Sequence, residues 1–481
     1  LHLPSYQPFM QYAESRELRR RMYDAYMNRA SEGEHDNRPV IARILELRRE
    51  LAALLGYGDY ADYSLEESMA ASGARALAFE DDLARRTRPY WEREVADIEA
   101  FAREELGLDR LEPWDTAFVA ERMRRARFDL DEEELRPYFP LPRVQEGLFE
   151  MARRLFGVVL AERAMAEVWH PEVRFYDVHD EGGKRLGGFY VDWFPRESKR
   201  SGAWMIGLVT GGPRSGGWQP HLAALVGNLS PPEGDRPALL THREVETIFH
   251  EFGHLLHHVL SRVEIPSRAG THVSRDWVEL PSQIMENWTW EREALDLFAR
   301  HWETGEPIPE PLFQKMQRAR RFLGASHQMR QISFGTLDLS LHALYDPARD
   351  GEVVPYAQEV MSRFSPRPEF ARNHFITAFT HIFAGGYAAG YYSYLWAEVL
   401  DADAFSRFRR EGLFNRETGR AFVEAVLSRG DAADPGALFR EFMGRDPDPG
   451  ALLRRNLGEG SEALAPEGAE LSPAPPRIGG V

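Results

Sequence analysis

The chain has 481 residues, 43% hydrophobic and 28% charged, with a formal net charge of −17 and no cysteine. That length and balance allow two to four domains or one large multi-lobed unit with a sizeable core. The acidic surface repels phosphate backbones and argues against nucleic acid as partner, and the missing cysteines exclude disulfides and thiol nucleophiles, so a metal site must use His, Asp or Glu.

The first 21 residues hold no apolar run of signal-peptide type and no initiator Met, which reads as a processed form or a piece of a longer chain. Residues 1–165 read as helices. Val40, Ile41, Ile44, Leu47, Leu51, Leu54 and Leu55 recur at helical spacing after Pro39, and Gly56 is placed to end that helix. Further helical patterns cover 74–106 and 144–156. The run 122–134, basic then acidic, reads as a solvated surface.

Between residues 170 and 230 the period changes. Stretches 172–178 and 188–194 are strand-like around the turn Glu181-Gly182-Gly183-Lys184, and 203–209 and 221–229 look like two more strands around a Gly-rich loop at 211–217. The expected fold is therefore mostly α, with a small β-sheet of three to five strands beside a helical lobe over 241–457. The Pro-, Gly- and Ala-rich end, 458–481, reads as a flexible tail. No Asp, Glu, Lys or Arg lies between Arg372 and Glu398, but three glycines, four tyrosines and two histidines do, which is too polar for a membrane span.

The strongest motif is His250-Glu251-Phe252-Gly253-His254. On a helix, two imidazoles at i and i+4 share a face and can converge on one metal ion. Glu251, rotated by about 100°, can act on a water instead of on the metal. Thr241-His242-Arg243-Glu244 is a capping box that starts this helix, and Val245, Ile248, Phe249, Phe252, Leu255 and Leu256 give it a buried face. A third ligand is needed. His257 and Leu260 occupy the positions at which a metzincin would carry Gly and His, so the gluzincin pattern, a carboxylate from a second helix, remains. Glu279, set between Val278 and Leu280, is costly to bury unpaired and is favoured, but spacing alone leaves Glu286 open.

These residues carry a resemblance. The motif, followed by Glu279-Leu280-Pro281-Ser282-Gln283 and Met285-Glu286-Asn287-Trp288, resembles the thimet oligopeptidase family of zinc peptidases. The likeness extends to Trp114-Asp115, to 135–140, to Gly202-Ala203-Trp204-Met205 and to the tyrosine-rich segment near 390, and the bacterial members are the better template. The resemblance implies a zincin-like gluzincin fold over 1–457 and one Zn²⁺ per chain, held by His250, His254 and Glu279. It also implies Glu251 as general base and an N-terminal helical region in relatives that this chain lacks. Glu286 is then expected to orient a ligating His from outside the metal shell.

A second constellation is His381, Gly385, Gly386, Tyr387, Gly390, Tyr391 and Tyr394. From the residues alone the tyrosines are equally a core stripe or a set of hydroxyl donors for the charge that builds on a peptide carbonyl. The resemblance implies the second for His381, Tyr387 and Tyr394, with Tyr391 as their neighbour; the strand at Gly202 and Ala203 is expected to pair with the peptide backbone, and His272 to lie near substrate because its loop leads to Glu279. The expected function is a cytoplasmic zinc metalloendopeptidase that hydrolyses internal bonds of short peptides. It is expected to be monomeric and free of nucleic-acid and membrane partners. A dipeptidyl carboxypeptidase and a non-catalytic peptide-binding protein are the alternatives.

Overall fold

The computed structural model describes residues 3–200 and 202–458. The expected tail, from 459 onward, lies outside the described residues. Helices dominate both sides of a small sheet, as the sequence pattern predicts. The longest, Gly73–Glu104, starts on Ser72, whose hydroxyl accepts from Arg75 N–H, and runs through Pro89 without ending. Leu141–Phe156 presents Val144, Leu148, Met151, Ala152 and Leu155 to the core and stops at Gly157, which has φ +70°. Glycine accepts that left-handed geometry without the steric cost of a side chain.

The sheet holds β1 (Val158–Glu162), β2 (Arg174–Asp180), β3 (Arg185–Asp192), β4 (Trp204–Val209) and β7 (His221–Val226), in the order β1-β2-β3-β7-β4. All neighbours are antiparallel except β3 and β7, which run parallel. A two-stranded ribbon of β5 (Gly212–Arg214) and β6 (Gly217–Gln219) fills the predicted Gly-rich loop. β1 lies inside the stretch expected to be helical, and that expectation is corrected here. Gly157 stops the preceding helix, and the β-branched pair Val158-Val159 turns at once into pairing with His179 and Asp180. The 122–134 stretch is also less solvated than expected, because Arg124 and Glu121 are buried as an ion pair at 2.6 Å.

One core spans most of the chain. Phe189, Val191, Ala223 and Leu225 of the sheet share it with Val245, Phe249, Phe252, Leu255 and Leu256 of the helix His242–Val259, and with Trp277, Leu280 and Trp288 beyond. β4 is an edge strand, and Ile206 and Leu208 on it stay exposed. The helix Arg38–Leu54 forms where its periodicity predicts, yet only Ile41, Leu45 and Ala52 of it are buried, while Val40, Leu47, Leu51 and Leu54 face outward. Among the described residues no helix is long and apolar enough to cross a membrane.

Candidate metal centre

The helix His242–Val259 begins with the predicted capping box: Thr241 Oγ1 accepts from Glu244 N–H, and Glu244 Oε2 accepts from Thr241 N–H at 2.8 Å. This fixes the helix start two turns before His250. Glu279 sits at the junction of two short helices, Arg275–Val278 and Leu280–Glu286. The second packs on the His-bearing helix so closely that a Cβ placed on Gly253 would stand 2.1 Å from Pro281 O. Glycine between the two histidines is therefore a packing requirement, and it brings the third side chain into reach.

Glu279 Oε2 stands 3.3 Å from His250 Nε2 and 3.3 Å from His254 Nε2. These three residues are the one group among the described residues whose ligand atoms could hold a metal ion together. A tetrahedral ion bound at 2.0–2.1 Å separates its ligands by about 3.3–3.4 Å, so the donor set fits. Burial opposes the charged imidazole of His250, but Glu279 and Glu286 outweigh it and hold its pKa well above the ordinary range. Burial likewise opposes the Glu279 carboxylate, and His254 and His250 outweigh it, holding its pKa well below the ordinary range. Ser282 Oγ donates to Glu279 Oε2 at 2.9 Å and pins the carboxylate.

Glu286 meets the other side of His250, with Oε1 2.6 Å from Nδ1. That contact assigns the Nδ1 proton and leaves Nε2 free to ligate. Behind Glu286 lies a polar cavity of about 340 Å³, bordered by Gln283, Arg320, Glu398, Asp401 and Arg455. Glu251 is buried, with the backbone of Met205 on β4 close to its carboxyl. Burial raises its pKa, partly offset by His250 and His254, which suits a group that must take up a proton.

The tyrosine loop closes the opposite side. Tyr387 Oη donates to Glu279 Oε1 at 2.9 Å, and the rings of Tyr387 and Tyr394 stack at 5.1 Å. Burial, followed by the charge of Glu279 for Tyr387 and by Tyr387 and Glu279 for Tyr394, raises both phenol pKa values, so both stay O–H donors. His381 is exposed, with its ring 6.4 Å from Tyr387 and 5.9 Å from Tyr391. The Tyr391 hydroxyl donates to Gln331 Oε1 at 3.1 Å, and its ring packs on Phe334 and Phe379.

The other predicted residues sit further out. Gly202, at φ +94°, leads into β4, and its carbonyl accepts from Asn228 Nδ2 at 2.7 Å. Ala203 follows it, half-buried. His272 is exposed on the loop before Glu279 and bonds through Nδ1 to Ala269 O. Sequence reasoning missed Gln283, whose Nε2 donates to Tyr394 O at 3.2 Å, and the anchors of the tyrosine loop on Asp338. Asp338 carries a signal like the one that favoured Glu279, an acid between two apolar residues, here the buried Leu337 and Leu339.

Residues 9–457 match the family described as "Peptidase family M3". The chain is 47% identical over 454 residues to oligopeptidase A of Escherichia coli (strain K12), covering 93% of this chain and 67% of that protein. It is 37% identical over 449 residues to dipeptidyl carboxypeptidase of the same organism, covering 92% and 65%. In fold it is similar to the solved structure titled PZ peptidase A with inhibitor, with a TM-score of 0.56 at 15% identity, over 94% of this chain and 69% of that one.

Proposed function

The chain belongs to peptidase family M3, and from that premise we propose that it is a zinc-dependent oligopeptidase cutting internal bonds of short peptides. The observation that carries the reading is the convergence of His250, His254 and Glu279, with Glu251 one residue along the same helix. Those three side chains would hold one Zn²⁺ per chain. Such an ion polarises a peptide carbonyl and acidifies a water.

The chain's own groups account for the rest. Glu251 takes a proton from the water whose oxygen attacks the carbonyl carbon, holds it, and delivers it to the amine nitrogen as the C–N bond breaks. The Tyr387 and Tyr394 hydroxyls donate to the carbonyl oxygen as negative charge builds there, with His381 on the same rim. The free edge of β4, reached from Gly202 and Ala203, suits an extended peptide, which would add to the sheet by backbone hydrogen bonds. Tyr391 and His272 border the same path.

We read residues 1–457 as one catalytic region, a reading supported by the family match over 9–457. A cysteine-free chain has no need of an oxidising compartment, and we place its work, as a monomer, in the cytoplasm. The intact base and ligand set speaks against a purely peptide-binding role. Greater identity to oligopeptidase A than to dipeptidyl carboxypeptidase favours internal cleavage.

The test is an internally quenched peptide blocked at both ends, assayed with zinc-loaded protein and with Glu251→Gln. Cleavage by the parent and a loss of about 10²–10⁴ in the fully metallated variant are expected. Release of dipeptides only from peptides with a free C-terminus would install the carboxypeptidase reading, and equal activity in the variant would remove Glu251 as base.

A further inference from the structure

The segment that carries Tyr387 and Tyr394 is held from behind by a buried chain of three side chains. Asp338 is fully buried between Leu337 and Leu339, at the end of the helix Gly324–Leu339 and just before the π-helical turn Ser340–Leu344. Its Oδ1 accepts from Ala389 N–H and its Oδ2 from Tyr391 N–H, both at 2.9 Å. Ala389 has φ +54°, a left-handed geometry that an alanine adopts only when its surroundings impose it. The carboxylate thus grips the loop on both sides of Gly390, midway between the two tyrosines.

The grip continues outward. His342 Nδ1 lies 2.9 Å from Asp338 Oδ1 and 2.8 Å from the Asp338 carbonyl oxygen, and His342 Nε2 lies 2.8 Å from Arg48 Nη1. A guanidinium only donates, so Nε2 accepts and the ring proton sits on Nδ1, directed at Asp338. The same Arg48 Nη1 donates to Ile382 O at 2.8 Å, beside His381. A single Arg therefore ties the start of the loop to the group that clamps its middle. π-Helical turns in α-helices occur often at functional sites, and here the turn carries His342 at its centre.

We propose that Asp338 is a positioning residue for hydrolysis, with His342 and Arg48 as its outer supports. It fixes the backbone of 389–391 so that the Tyr387 and Tyr394 hydroxyls stand at the metal centre. The proposal rests on the reading of those two tyrosines as donors to the developing oxyanion. Asp338 itself touches no substrate, and its effect passes wholly through the loop. An amide at this position keeps the shape but presents an NH₂ group to one backbone N–H, so the loop loses one of its two anchors.

The experiment is Asp338→Asn in two backgrounds, the parent and the Tyr387→Phe/Tyr394→Phe double variant, each zinc-loaded to equal stoichiometry. In the parent, kcat should fall by about 10–100-fold with KM within about threefold, less than outright loss of a donor because the hydroxyls are displaced, not deleted. Binding of a phosphinic peptide, which mimics the tetrahedral state, should weaken by the same factor while product inhibition stays put. In the double-Phe background the same substitution should change kcat by less than about twofold, because nothing remains to position. Equal losses in both backgrounds would mean general damage to the fold and would overturn the proposal. A large effect of the tyrosine changes with none from Asp338→Asn would overturn it while leaving the donor reading intact. No effect from the tyrosine changes would end both. Should Asp338→Asn fail to fold, half-buried Arg48→Met carries the test, with a several-fold loss expected in the parent background alone and unchanged kcat as the overturning result.

Discussion

The Tyr387 hydroxyl donates to Glu279 Oε1 at 2.9 Å while the other oxygen of the same carboxylate faces His250 and His254. Because a carboxylate only accepts, the Tyr387 proton is committed to Glu279, while the Tyr394 ring stacks on that of Tyr387 at 5.1 Å. Of the two proposed oxyanion donors, Tyr387 is thus the one bonded to Glu279, a proposed metal ligand.

That difference separates their effects. Tyr394→Phe is expected to lower kcat by about 10²–10³ with KM and metal affinity nearly unchanged. Tyr387→Phe should show a comparable kcat loss and also weaken metal binding, by about tenfold, since Glu279 loses an orienting donor. Steady-state kinetics paired with chelator competition reads both. Unchanged kcat in both variants would return the tyrosines to the role of an aromatic core stripe.

Glu279 and Glu286 should separate in the same assay. Glu286→Ala removes the acceptor that orients His250 and is expected to weaken metal binding by about 10–100-fold. Glu279→Ala removes a ligand oxygen and should cost more than that, leaving substoichiometric metal after dialysis. Greater metal loss from Glu286→Ala would reverse the assignment of the third ligand.

Much of this centre is legible because its parts are local. His250, Glu251 and His254 fall within about one helical turn, and the capping box is four consecutive residues, so periodicity and spacing place them. β1 was not legible, because five residues after a strong helix carry too little alternation to mark a change of period. The contact of Arg48 with His342 was beyond reach for another reason. Arg48 and His342 are separated by 294 residues, and a contact across that distance leaves no pattern in either segment. The exposed side of Arg38–Leu54 shows the converse: periodicity gives the helix but does not say which of its apolar residues find a neighbour.

Gly253 offers a test in which two effects oppose. Replacing a mid-helix Gly by Ala favours a helix by about 1 kcal/mol. Here the new Cβ would meet Pro281 O at 2.1 Å and the Ser282 Cα at 2.6 Å, which are backbone atoms that cannot swing aside. Overpacking of this kind costs about 1–3 kcal/mol, and the relief open to it is to push the Leu280–Glu286 helix away. Gly253→Ala should therefore lower the thermal midpoint and weaken metal binding by at least about tenfold. A stabilised variant with full metal affinity would show that the two helices separate without moving Glu279.

His257 lies three residues beyond His254 on the buried side of the same helix, with no exposed surface and no hydrogen-bond partner for either ring nitrogen. Burial, with smaller contributions from His254 and His258, pushes its pKa from 6.5 down to about 3. The folded chain then keeps this imidazole neutral while the unfolded chain protonates it below pH 6.5. Between pH 6.5 and 3 the unfolded state binds the extra proton, so the stability associated with His257 is full above 6.5 and is lost as the pH falls. At pH 5 the loss is about 2 kcal/mol, at about 1.4 kcal/mol per unit. His257→Leu is close in volume, better in a helix, and leaves no polar atom to desolvate. It should be neutral to slightly stabilising at pH 8 and more stable than the parent by about a further 2 kcal/mol at pH 5. Chemical denaturation of both proteins with the metal chelated, at the two pH values, isolates this term, because every other titratable group is common to both. A gap between variant and parent that does not widen from pH 8 to pH 5 would mean that His257 is not held neutral by burial and that the acid sensitivity of the fold arises elsewhere.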